Sequence, residues 1–377
     1  MNNTGKWVGG VVVVIALIAI VVFAMRSGKS DSTDTNATST EKSTIKIGLS
    51  LPLTGDLAFI GETDRNAAQL ALEEVNKQEG LKHNYELVFE DDSFNAAKAA
   101  SVIKKFTSID KVDAVISIGS TAGNVVAPVA ETNRIPHIGA GASDSTIAKG
   151  DYNFIHWTRP QEEADAMLKE LQKRKITKVA ALVANQQGLQ AMNTELKNKA
   201  GAVGITITDE TFNLGQTDFR TTISKIEKEK PEIYLLGAFD PEVGIIAKQI
   251  RELGIKTPLT SIESFALTAD LKPFEGQWFV DAAVPTSQFG GTYQQKYGKE
   301  PGPAAANTYD AIHLLVKAFE AVPGDGKPAS DQVAKALGGT QGYSGALGPL
   351  SVNSDGIFIS QAAIKIVKDG KAVAVQE

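Results

Sequence analysis

The sequence predicts an α/β protein built as two parallel-sheet lobes behind one apolar N-terminal segment. Three observations carry that prediction. From Thr44 onward, short β-branched runs alternate with amphipathic helical patterns almost without interruption. The alternation restarts after Arg159-Pro160, as it would at the start of a second lobe. A chain of 377 residues is also too long for a single hydrophobic core.

The first forty residues stand apart from that rhythm. Val8 to Met25 carries no charge and is almost wholly aliphatic. As a helix it would reach roughly 27 Å, close to the hydrocarbon thickness of a bilayer. Residues 1–25 therefore read as an uncleaved signal anchor or as a signal peptide with Val22-Phe23-Ala24 as a poor cleavage site; the length of the run favours the anchor. Lys6 on one side and Arg26 and Lys29 on the other blur the orientation signal. Residues 26–43, rich in Ser, Thr, Asp and Asn, read as a flexible linker with nothing to bury.

The folded part follows in order. Ile45 to Leu49 is a strand, and Thr63 to Gln78 a helix with Ala67, Leu70, Ala71 and Val75 on one face, ended near Gly80. Strands at 85–90, 113–118 and 135–140 enclose helices at 96–107 and between 118 and 135. This is the pattern of a parallel sheet covered on both faces. The second set has helices at 161–174, 189–199, 217–229 and 241–253 between strands at 178–184, 204–208, 232–237 and 258–261, closed by the run 277–284. A long helix at 304–321 buries Ala311, Leu314, Leu315 and Ala318, and strands near 348–352 and 361–368 flank the turn Asn353-Ser354-Asp355-Gly356.

Chemistry has little to work with. The absence of cysteine removes disulfides, zinc-thiolate sites and thiol nucleophiles, and a net charge of −6 argues against nucleic-acid binding. His83, His137, His156 and His313 show no metal-ligand spacing, and neither a nucleophile elbow nor a phosphate loop occurs. Gly139-Ala140-Gly141-Ala142-Ser143 lacks the third glycine of a dinucleotide fingerprint. No cofactor and no metal are expected, and binding outranks catalysis. The candidate binding stretch is 113–147, where Gly119-Ser120-Thr121 and Gly139 to Ser143 each end a strand. Helix-start N–H groups beside serine hydroxyls make a small anion site, and two together suit a carboxylate or phosphate. Serines before helices cap them more often than they bind ligands, so Ser120 and Ser143 also read as plain helix caps.

These residues carry a resemblance. Ile47 to Gly55, Gly61, Gly119-Ser120-Thr121, Ile135 to Ser143, Gly237 to Glu242, Ile262-Glu263-Ser264, Asn307 to Ala311 and Gly342 to Gly356 resemble, in order and spacing, the leucine/isoleucine/valine-binding proteins, type I solute-binding components of ABC importers. The likeness covers 44–377. It implies two lobes joined by three hinge crossovers and closing over a ligand, lobe one at 44–160 plus 286–344 and lobe two at 161–285 plus 345–377.

The resemblance also implies a site. An amino acid's carboxylate would meet Ser120, Ser143, backbone of Gly141 and Thr121; its ammonium would meet Glu263, which otherwise reads as a solvated loop glutamate. Ile60 stands where many members carry tyrosine, and Gln187 and Asp240, with Phe239 adjacent, where aromatics often line the second lobe, so a more polar pocket is implied. Asp240 reads equally as a ligand contact and as the cap of the helix at 241–253. Trp157 and Arg159 are expected to pack the first crossover. The function implied is an extracytoplasmic, membrane-tethered (or secreted, if the leader is cut), monomeric receptor that catalyses nothing, delivering an amino acid or small amide to an ABC permease. The alternative is a ligand-sensing receptor domain without a transport role.

Overall fold

The computed structural model describes residues 42–375. The apolar segment at 8–25 and most of the linker at 26–43 lie outside the described residues. Among the described residues, no helix is long and apolar enough to cross a membrane.

The chain runs β1 (Thr44–Leu51), α1 (Ala58–Val75), β2 (Asn84–Asp91), α2 (Ala96–Lys105), β3 (Ala114–Ile118), α3 (Gly119–Asn133), β4 (His137–Ala140) and β5 (Asn153–His156). It continues α4 (Pro160–Lys173), β6 (Lys178–Ala184), α5 (Gln187–Ala200), β7 (Thr206–Phe212), α6 (Arg220–Ile226), β8 (Ile233–Gly237), α7 (Glu242–Glu252), β9 (Leu259–Thr260) and β10 (Trp278–Asp281). Then come α8 (Ser287–Tyr297), α9 (Ala305–Ala321), α10 (Ser330–Gly338), β11 (Tyr343–Gly345), β12 (Gly348–Leu350), β13 (Ile357–Phe358), β14 (Ala363–Lys368) and β15 (Lys371–Ala374).

Two parallel sheets organise these elements. The first has six strands in the order β13-β5-β4-β3-β1-β2, with Ile45, Ile47 and Leu49 of β1 fully buried between β3 and the edge strand β2. The second has the order β7-β6-β8-β9, and a bridge from Ile262 to Val280 carries it toward the antiparallel set β10-β14-β15. In each sheet the strand order reverses once, between β1 and β3 and between β6 and β8. Loops leaving the carboxyl ends of strands at such a reversal diverge to opposite faces and open a crevice, which is where ligands of open α/β sheets bind.

The chain passes between the sheets after β5, after β10 and after β13. These passages are tied to one another. The Thr158 hydroxyl accepts from Ala283 N at 3.0 Å and pairs with the Ser360 hydroxyl at 3.0 Å, so one buried side chain touches all of them.

Several expectations need correction. The segment 345–358 belongs with the first lobe, because β13 pairs with β5 and buries Phe358 against Phe154 and His156. Asp310 of α9 also accepts from Ala346 N at 2.7 Å, holding the β11-β12 hairpin on the same side. The strand β5 and the helices α8 and α10 were not anticipated. The helix expected from Thr63 starts at Ala58, where Ala58 N bonds Gly55 O across a tight turn. The second helix start near Ser143 is only a short 3₁₀ turn, Ser145–Ala148, capped by the Asp144 carboxylate on Thr146 N.

Candidate functional site

A cavity lies between the two sheets, lined by the loops that leave the carboxyl ends of β1, β3, β4, β5, β6, β8 and β9. Its body is apolar. The first lobe contributes Leu57, Ile60 and Ile118, and the second Leu189, Met192 and Phe239. Leu189 and Met192 sit at i and i+3 on α5 and so share one face.

At the first-lobe end, Ser120 is the second residue of α3. Its Oγ accepts from Ser143 N at 3.0 Å and Asp144 N at 3.1 Å. A hydroxyl has one proton and two lone pairs. With both lone pairs filled by amides, Ser120 is left with a donor only, the right polarity for a carboxylate. The same bonds use up the amide of Ser143, so that N–H is not free for a ligand. Gly141, at φ +63°, turns the β4 loop along the same wall.

At the other end, Glu263 follows the Ile262 bridge and has φ +60°, a conformation non-glycine residues adopt at a cost of about 1–2 kcal/mol. Glu263 N donates to Val280 O at 2.8 Å, which fixes the backbone there. The carboxyl is buried; Trp157 Nε1–H donates to it, and the Ser143 hydroxyl lies beside it. Burial pushes the Glu263 carboxyl up to about 7, against the hydrogen bonds from Glu163, Trp157 and Ser143. Among the described residues, no group of His, Cys, Asp and Glu could hold a metal ion.

The lobes meet around the cavity. Gln186 caps α5 by accepting from Leu189 N at 3.0 Å, and its Nε2 donates across to Thr121 Oγ1 at 3.3 Å. Phe94 and Phe239 stack edge to face with centroids 5.4 Å apart. Gly188 passes so near Ser120 that a Cβ there would stand 3.0 Å from its Oγ. The arrangement is a closed one.

The structure thus brings Ile60, Ser120, Gly141, Ser143, Phe239 and Glu263 to one cavity. Thr121, Gln187 and Asp240 do not line it. Thr121 receives Gln186 instead. Gln187 is exposed in an outer groove, because α5 starts at 187 and makes its neighbour Gln186 the inward-facing cap. Asp240 accepts from Ala269 N at 2.7 Å and borders a separate outer cleft, where burial and then Asp270, Asp56 and Glu242 push its carboxyl up. Of the residues on which the expectation of a less aromatic, more polar pocket rested, Ile60 lines the cavity while Gln187 and Asp240 stand outside it. Trp157 does more than pack a crossover: it lines the cavity and holds Glu263. Sequence reasoning also missed Leu57, Gln186, Leu189 and Met192; the available signal was their place just after β1 and β6.

A two-lobed ligand-binding protein is the class this fold and site define. The chain belongs to the periplasmic binding protein family, whose model matches residues 44–371, and it has that family's type I fold. It is 29% identical over 220 residues to a leucine-, isoleucine-, valine-, threonine- and alanine-binding protein of Pseudomonas aeruginosa, covering 56% of this chain and 58% of the relative. It is 26% identical over 352 residues to the Leu/Ile/Val-binding protein BraC3 of Rhizobium johnstonii, covering 88% of this chain and 94% of that one. Among solved structures, the leucine-binding protein LivK of Thermotoga maritima superposes with a TM-score of 0.81 at 23% identity, over 88% of this chain and 98% of its own. The branched-chain amino acid transporter substrate-binding protein LivJ of Streptococcus pneumoniae, in complex with isoleucine, gives 0.77 at 25% identity over 89% and 100%. These relatives are binding proteins rather than enzymes, and the family implies a location outside the cytoplasm.

Proposed function

We propose that this chain is the substrate-binding protein of an ABC importer and captures a branched-chain amino acid between its lobes for delivery to a membrane permease. One observation carries the reading: an aliphatic cavity with a donor-only hydroxyl, Ser120, at one end and a buried carboxyl, Glu263, at the other. The ligand carboxylate takes the Ser120 proton at the start of α3, with Gly141 beside it. The ammonium takes Glu263, whose buried charge it neutralises. Ser143, beside Glu263, stands at the seam between the two groups. The side chain fills the space among Ile60, Leu189 and Met192, where each buried CH₂ is worth about 0.8 kcal/mol.

Because the ligand touches both lobes, it binds the closed form better than the open one and shifts the population toward the state a permease would read. Relatives named for leucine, isoleucine and valine support the ligand class. A thermal-shift screen of the chain against the standard amino acids tests the reading. Leucine, isoleucine or valine should raise the melting temperature, since a ligand at a hundred times its Kd adds about 2.7 kcal/mol. Failure of every amino acid to do so would overturn it.

A further inference from the structure

Behind Glu263 lies a second acid. Glu163, in the first turn of α4, is fully buried, and neither of its carboxyl oxygens has a well-formed hydrogen bond, although the Glu263 carboxyl lies beside them. The other charged groups nearby are already engaged. Asp281 on β10 is paired with Lys365 on β14 at 2.5 Å, and Glu162 is bonded to Arg159 Nε at 2.8 Å. From α5, Lys199 binds Asp165 at 2.7 Å instead. No cation among these faces Glu163.

Two carboxylates in contact and out of water cannot both ionise, so the pair must hold a proton. The surroundings decide where it rests. Glu263 receives Trp157 Nε1–H and has the Ser143 hydroxyl beside it, both of which favour an anion. Glu163 receives neither. Resting on the reading of Glu263 as the ammonium's partner, we infer that Glu163 is a positioning residue: it stays an acid, donates its proton to Glu263, and makes capture of an ammonium the event that expels the second proton from the pair.

Burial first, and then the Glu263 charge, push Glu163 well above the ordinary carboxylate range, so it remains an acid while Glu263 titrates. Below the Glu263 midpoint the empty site holds both protons, and binding must release one. Affinity then rises about tenfold per pH unit up to that midpoint and levels above it.

Calorimetry of isoleucine binding to the full chain, from pH 5.5 to 8 in paired buffers of different ionisation enthalpy, tests this. The expected result is release approaching one proton per ligand near pH 6 and almost none at pH 8. Glu163→Gln keeps a donor and should bind within about threefold of the parent at pH 7. Glu163→Leu lacks one, so the rise in affinity should move up by about a pH unit, with about fivefold weaker binding at pH 7 and about tenfold weaker binding at pH 6. Melting curves of the ligand-free variants check that both fold. Ligand binding without proton release, or equal profiles for the Gln and Leu variants, would overturn the inference and leave the amine site standing. A Glu263→Gln protein that binds isoleucine as well as the parent would remove the amine site, and with it the inference.

Discussion

The two ends of the cavity solve the same problem with different chemistry. At the first-lobe end a neutral hydroxyl is turned into an obligate donor by two amides that fill its lone pairs, and little energy is stored when the site is empty. At the second-lobe end a carboxyl is buried against another carboxyl, with an indole as its clear donor and the Ser143 hydroxyl beside it. An empty carboxyl of that kind is uncomfortable, because burial disfavours its charge. The contrast teaches that the ends should contribute unequally. On the proposed reading, the carboxylate end would orient the ligand, while the ammonium end would decide whether binding occurs.

The first way to break that comparison is Glu263→Gln. Loss of a buried charge-assisted partner should weaken amino-acid binding by about 2–4 kcal/mol, roughly 30- to 1,000-fold, read by calorimetry. A change under threefold would make the two ends equivalent.

The next effect is on stability without ligand. Between about pH 4.5, where an exposed glutamate ionises, and about 7, where Glu263 does, the folded protein keeps a proton that the unfolded chain has lost. That group's contribution is therefore full below pH 4.5 and falls by about 1.4 kcal/mol per unit until pH 7. The melting temperature of Glu263→Gln should gain on the parent steadily from pH 5 to 7; a constant gap would contradict the assignment.

Smaller still is Ser120→Ala, which removes one donor to the ligand and the acceptor of two amides. Binding should weaken by about 1–2 kcal/mol, with a comparable loss of ligand-free stability. Ser143→Ala should cost less in binding, because its hydroxyl lies beside Glu263 while Trp157 is the carboxyl's clear donor. If Ser143→Ala exceeds Ser120→Ala in calorimetry, the carboxylate lies at the wrong serine. Least of all, Asp240→Ala should leave the ranking of amino acids in a thermal-shift screen unchanged and shift affinity by less than about 0.5 kcal/mol, since Asp240 borders an outer cleft. An altered ranking would bring it into the cavity.

Much of this was legible in the sequence because periodicity reports burial. Strands such as 178–184, apolar from Val179 on, and helices such as α9, with a stripe at helical spacing, matched their residues closely. What escaped depended on contacts distant in the chain. The two-residue strand β13 exists only because β5 lies beside it, so nothing local in 345–358 could assign it to the first lobe. The site showed the same limit. Ser120, Gly141 and Ser143 announced themselves as small residues after strands, but Gln186 and Gln187 are indistinguishable until the exact start of α5 is known. The role of Trp157 required seeing Glu263 arrive from 106 residues away, and Glu163 had no local signal at all.

The central claim is that opposite lobes hold opposite ends of one zwitterion, with the amine on Glu263. A double-mutant cycle tests it most directly: calorimetry of isoleucine, and of the same acid lacking its amine, against the parent and Glu263→Gln proteins. The account predicts strong coupling, with the amine worth about 2 kcal/mol or more to the parent and almost nothing to the variant. Equal losses from the missing amine in both proteins would place the ammonium elsewhere and contradict the account.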